Sequence, residues 1–145
     1  MKNLLLSVFS LLMLSTACNT KDDPNQQLQS EVIAVHDEVM PLMSTFNHNS
    51  LEIDSILSNL KNIKIDKPQI DTLEQKEKLT KLKNRISDAN DAMSDWMHEL
   101  NLDFAGMSDE EVKEYLEKER TKIENINKEF MEVEAESNET LSIYR

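Results

Sequence analysis

Leu28-Gln29-Ser30-Glu31-Val32-Ile33-Ala34-Val35-His36-Asp37-Glu38-Val39-Met40-Pro41-Leu42-Met43 opens the stretch that decides the fold, and the pattern it sets runs on to Ile63. Apolar residues recur at Leu28, Val32, Val35, Val39, Leu42, Phe46, Ile53, Ile56, Leu60 and Ile63, with Asn49 the one polar break. Steps of four and three throughout describe a helical seam about five heptads long. Beside it, Ile33, His36, Met40 and Met43 form a second stripe. Pro41 lies inside the seam, where it removes a backbone hydrogen bond and costs about 3 kcal/mol. Each buried aliphatic contributes about 1.5–3 kcal/mol, and the phase survives beyond Pro41. The expectation is one continuous helix kinked at Pro41, against a break at Asn47-His48-Asn49-Ser50, whose residues favour turns.

Two further seams follow. Asp66-Lys67-Pro68 is read as a restart, with Asp66 or Lys67 at the cap and Pro68 in the first turn. That second seam comprises Leu79, Leu82, Ile86, Ala89, Met93, Trp96 and Leu100, while Ile70 and Leu73 before it stand among charges. Asn101 to Met107 is a connector carrying the only glycine, Gly106. Ser108-Asp109-Glu110-Glu111 has the spacing of a capping box. The third seam is Val112, Leu116, Ile123, Ile126, Phe130 and Val133, interrupted by Glu119. Tyr115 flanks it, and Leu141 and Tyr144 are expected to pack loosely at its end.

Helices of about 24–64, 68–100 and 108–141, each near 50 Å at 1.5 Å per residue, joined by short connectors, make antiparallel neighbours. The predicted class is all-α, an elongated antiparallel three-helix bundle or coiled coil. Levels across the first hairpin pair residues whose numbers sum to about 130. That places His36 and Met40 beside Met93, Trp96 and Met97, with Met40 against Met93; Val112 and Tyr115 meet them from the third helix.

The N-terminus reads as an export signal: Lys2, then an apolar run from Leu4 to Leu14, too short to span a bilayer. Leu14-Ser15-Thr16-Ala17-Cys18 resembles the bacterial lipobox, in which the cysteine is lipidated and becomes the first mature residue. Ser15 stands where that pattern usually has leucine. The alternative is a secreted chain with a free thiol, because the single cysteine cannot form an internal disulfide. The domain reading is therefore a cleaved signal at 1–17, a tether at 18–23 and a helical domain at 24–145. Asn19-Thr20-Lys21-Asp22-Asp23 is similar to the lysine-plus-acidic export tag of Bacteroidota surface lipoproteins, or is simply a solvated tether. Asp23-Pro24 is a favourable N-cap and N1 pair.

A formal charge of −12 disfavours nucleic acid as a partner and a basic helix lying on anionic lipid. The membrane enters through the acyl anchor, outer-membrane in location and facing periplasm or cell surface. A protein partner is the other expectation, an exported enzyme being one. Glycine-rich phosphate loops, nucleophile elbows and HExxH are absent from the sequence, so no catalytic residues and no enzyme activity are assigned. Asp37, Glu38, Asp88, Asp91, Asp95, Glu110 and Glu111 read as solvated faces, caps and charge pairs. No cofactor is assigned, and the leading function is structural or protein-interacting. The alternative is a haem or soft-metal site, for which His36, Met40, Met93 and Met97, with Met43 and His98 nearby, supply imidazole and thioether donors. Core packing by methionine is the competing explanation. His48 and His98 are read as exposed.

The segment from Glu31 to Met43, together with Ala89-Asn90-Asp91-Ala92-Met93-Ser94-Asp95-Trp96-Met97, Phe104 to Val112 and Tyr115-Leu116, resembles small Bacteroidota lipoproteins often labelled viral A-type inclusion protein. The likeness covers the signal and most of the mature chain, with Phe46 to Leu79 lacking a signature. It implies an envelope lipoprotein with a helical domain, and it implies no activity.

Overall fold

The computed structural model describes residues 23–145; the signal segment, Cys18 and most of the tether lie outside the described residues. Within them are three helices and no strand: α1 (Pro24–Asp66), α2 (Thr72–Glu99) and α3 (Asp109–Leu141). Each helix packs on both others, giving an all-α three-helix bundle in which α1 and α3 run the same way and α2 returns between them.

α1 begins where the sequence places it. Asp23 accepts the Asn25 N–H at 3.0 Å and Pro24 follows at N1. The helix then continues through Pro41, with no break at Asn47–Ser50. Pro41 is exposed while Val39 and Phe46 on either side of it are fully buried, so the lost hydrogen bond falls on the solvent face and the seam keeps its phase. Asn49, the polar break, is itself buried and accepts a hydrogen bond from the Arg145 guanidinium at 3.3 Å.

α2 starts later than expected. Asp66 stays in the last turn of α1, and Lys67 donates its N–H to the Ile63 carbonyl at 2.8 Å. Pro68 then serves a turn, closed by the Ile70 N–H on the Lys67 carbonyl at 3.0 Å. Proline pre-sets φ for the second position of such a turn. The N-cap is Asp71, whose carboxylate accepts from Leu73 and Glu74 N–H at 2.9 and 3.1 Å. A short acceptor with Glu74 in the first turn satisfies two free donors. The three helices are consequently unequal, at 43, 28 and 33 residues. Ile70 is buried and Leu73 is 76% exposed. Gln75 fills the thin part of the seam, accepting from the Tyr144 hydroxyl at 2.9 Å.

The second connector follows the sequence closely. Gly106 takes φ 87°, the left-handed value required at the third position of the Phe104–Met107 turn. Ser108 and Glu111 form the full capping box. Leu141 is fully buried rather than loosely packed. Ion pairs stitch the surface between every two helices: Asp54 with Lys83, Glu31 with Arg120, and Arg85 with Glu129, Glu132 and Glu136. Exposed pairs of this kind contribute about 0–1 kcal/mol each.

Four carboxylates among the described residues are held below their ordinary range, Glu114 being one through its hydrogen bond from Lys118. Backbone N–H donors lower Asp71 from 3.8 and Glu111 from 4.5, the Ser108 donors acting on Glu111. The hydrogen bond from Arg145 lowers Glu52 from 4.5. Groups depressed by folding contribute stability that is complete above their ordinary pKa and lost as pH falls through the folded value. Urea midpoints should therefore decline from about pH 5 downward. The pair Asp71→Asn and Glu111→Gln keeps both caps and should flatten that acid limb. Superimposable limbs in wild type and variant would refute the linkage.

Candidate functional site

Polar and sulfur-bearing residues of all three helices converge around Trp96, and the geometry starts from α2. Trp96 sits on the buried seam at 3% exposure, four residues after Ala89-Asn90-Asp91-Ala92, and its indole N–H must find an acceptor. It donates to Glu119 Oε2 on α3 at 2.9 Å. Glu119, which breaks the third seam in sequence, is therefore a buried carboxylate with a purpose. Its other oxygen accepts from Lys122 Nζ at 2.9 Å, an i,i+3 pair on the same helix. Glu119 beside Lys122 raises the ammonium pKa above its ordinary 10.5, the hydrogen bond being the larger cause.

From α1, His36 reaches the same place. Its ring lies 5.8 Å from the Trp96 ring, centroid to centroid, tilted by 35°. His36 Nδ1 is 2.9 Å from Asp37 Oδ1, and Nε2 is 3.3 Å from Met97 Sδ on α2. The His36 side chain retains 22% of its exposure, so this corner of the bundle is open to water on one side.

Of the candidate donors, the structure brings His36 and Met97 into direct contact, with Trp96 beside them. Met93 is fully buried in the core, one helical turn from Met97. Met40 is 36% exposed, on the outside of α1, so it does not share the core with Met93. The cause is rotational: Met40 neighbours the buried Val39 and, one residue on, falls about 100° around the helix. Met43 packs against the edge of the core. His98 is turned onto its own helix, 2.6 Å from the Ser94 carbonyl, and His48 is exposed. Val112 is buried, while the Tyr115 hydroxyl accepts the Asn101 N–H at 2.8 Å and so closes the end of α2 rather than joining Trp96.

Sequence reasoning found His36, Trp96 and Met97 and missed Glu119, Asp37 and Lys122 as members. The available signal was Glu119 itself, a charged residue at a seam position on the helix facing a tryptophan with an N–H to satisfy. Among the described residues, no three His, Cys, Asp or Glu side chains are placed to hold a metal, and no helix is long and apolar enough to cross a membrane. No protein family, curated protein or solved structure matches the chain.

Proposed function

We propose that this chain is a lipid-anchored envelope protein whose bundle serves as a stiff stand-off for protein contact, without catalytic activity of its own. The observation that supports this most directly is how soon the first helix begins after Cys18. Asp23 already caps α1, leaving only Asn19 to Asp23 between the lipobox cysteine and a 43-residue helix. Five residues span at most about 18 Å, whereas α1 is about 65 Å long at 1.5 Å per residue. Anchored at Cys18, the bundle would carry its first hairpin and its C-terminus away from the bilayer. The aliphatic core supports the same reading, since Val32, Val39, Ile53, Leu79, Leu82 and Ile123 fill the axis of the bundle without exposure. The lipoprotein resemblance of residues 14–18 supplies the attachment chemistry.

Radiolabelled palmitate supplied to cells expressing the full chain should enter the wild type. In a Cys18→Ala variant the label should be absent and the protein should move from the membrane to the soluble fraction. Label persisting in Cys18→Ala, or absent from wild type, would overturn the anchor.

A further inference from the structure

The connector between α2 and α3 is built from unusual residues for a turn that faces water. Such turns favour Asn, Asp, Ser and Pro around their glycine, whereas this one reads Phe104-Ala105-Gly106-Met107. It is closed by the Met107 N–H on the Phe104 carbonyl at 3.0 Å, with Gly106 at φ 87°. The polar side chains of the connector are turned onto its own backbone. Asn101 Oδ1 accepts the Asp103 N–H at 2.9 Å, and Asp103 Oδ1 accepts the Ala105 N–H at 3.1 Å. The Tyr115 ring meets Phe104 edge-on, 6.1 Å between centroids. Leu102 and Met107 are left 40% and 38% exposed, and Phe104 is half-buried. The loop thus presents three large apolar side chains that the described residues cover only in part.

Its place in the molecule says what covers the rest. The Asn25 side chain donates to the Asp109 carbonyl at 2.9 Å, so the first turn of α1 is fastened to the first turn of α3. Phe104 and Met107 share a crevice with Asp23, Asn25 and Val112. The connector therefore lies beside the residue at which the chain enters the bundle, and Cys18 is five residues before it. Five residues reach no more than about 18 Å, so an acyl group on Cys18 would hold this end at the lipid headgroups. No Lys or Arg stands between Arg85 and Lys113, and Asp109, Glu110 and Glu111 open α3 beside the loop. An anionic lipid surface repels such an end, and a zwitterionic one does not.

We propose that Leu102, Phe104 and Met107 form a contact surface for zwitterionic phospholipid, seated in the bilayer that holds the anchor. Resting on the acyl anchor proposed for Cys18, this contact adds a second attachment, which fixes the tilt of the bundle over the bilayer.

The test uses the full chain, processed and acylated in cells, then reconstituted into phosphatidylcholine vesicles. An environment-sensitive fluorophore is placed on Met107→Cys, the Cys18 sulfur being blocked by its lipid. Doxyl-labelled lipid should remove at least about half of the emission, since an interfacial apolar surface sinks roughly 5–10 Å into the headgroup and acyl boundary. The same probe on Leu73→Cys, at a position 76% exposed near the first hairpin, should keep its emission. Adding Leu102→Asp should cut the quenching at position 107 at least about twofold, because a carboxylate resists leaving water. Phosphatidylglycerol vesicles at low salt should lower it too. Flotation with the vesicles reads the anchor separately. Protein that floats but is quenched equally at 107 and 73, or equally with Leu102→Asp, overturns the loop contact and leaves the anchor standing. Protein that fails to float overturns the anchor and the contact with it. Stronger quenching on phosphatidylglycerol overturns the lipid class. A probe at 107 that ignores the lipid quencher in vesicles, yet shifts to the blue in native envelopes, gives the face to a protein and overturns the proposal.

Discussion

Phe130→Ala is expected to lower the unfolding free energy by about 3–5 kcal/mol, the range for truncating a fully buried aromatic ring. Phe46 of α1 and Phe130 of α3 are both completely buried, and their rings stack at 5.0 Å with 14° between planes. They are the two largest fully buried side chains, in a sequence with few aromatics. Removing one ring forfeits its transfer energy and leaves a cavity against the other, because neighbours on rigid helices close in only partly. Domains are stable by about 5–15 kcal/mol in total, so the variant should be near its limit at room temperature. Phe130→Leu, which refills most of the space, should cost clearly less. Urea unfolding followed by circular dichroism measures both, and a Phe130→Ala loss below about 1 kcal/mol would show that this layer is not packed as described.

The second large effect lies at Trp96 and Glu119, and its signature is non-additivity. Trp96→Phe keeps most of the buried ring but leaves the Glu119 carboxylate, 3% exposed, without its cross-helix donor. Glu119→Leu fills the seam yet leaves a buried indole N–H unpaired. Each single change should cost about 1.5–3 kcal/mol, the range for losing a hydrogen bond to a charged group or stranding its partner. The double variant replaces both members by apolar groups and should cost much less than the two singles together, since a buried polar pair is often replaceable without loss. A double-mutant cycle with a coupling near zero would refute the pairing. Lys122 remains beside position 119 in every variant and is half-exposed, so its ammonium can return to water.

These two sites differ in how far they could be read beforehand. Phe46 and Phe130 sit on strict four-three seams, and burial follows from spacing alone. Trp96 and Glu119 meet only because α2 and α3 are set at one particular height and rotation. The same holds for the levels across the first hairpin. Pairs such as Asp54 with Lys83 and Asn47 with Asn90 have numbers summing to 137, and His36 with Met97 to 133, rather than about 130. The reversal is centred near Pro68 instead of near Lys64–Asp66, because Asp66 stays helical and the proline builds the turn. A shift of the hairpin centre by three or four residues moves the partner of each residue by about seven, or two helical turns. Met40 and Met93 share the level of His36 and Met97, and they fail to meet because Met40 is turned to the outside of α1 rather than because of height.

By itself the sequence determined the three helices, the residues that face inward, the continuity of α1 through Pro41, and the caps at Asp23 and Ser108. All of these depend on spacing within a few residues, where the 3.6-residue period and the free donors of a helix end leave few choices. Only the tertiary structure decided the partners of Asn49, Gln75 and Glu119, the start of α2 at Asp71, and the contact of His36 with Met97. Hydrogen bonds reach about 3 Å, whereas one helical turn is 5.4 Å. A pattern that fixes the face but leaves the height uncertain by a turn can say which residues are buried, and cannot say which of them touch.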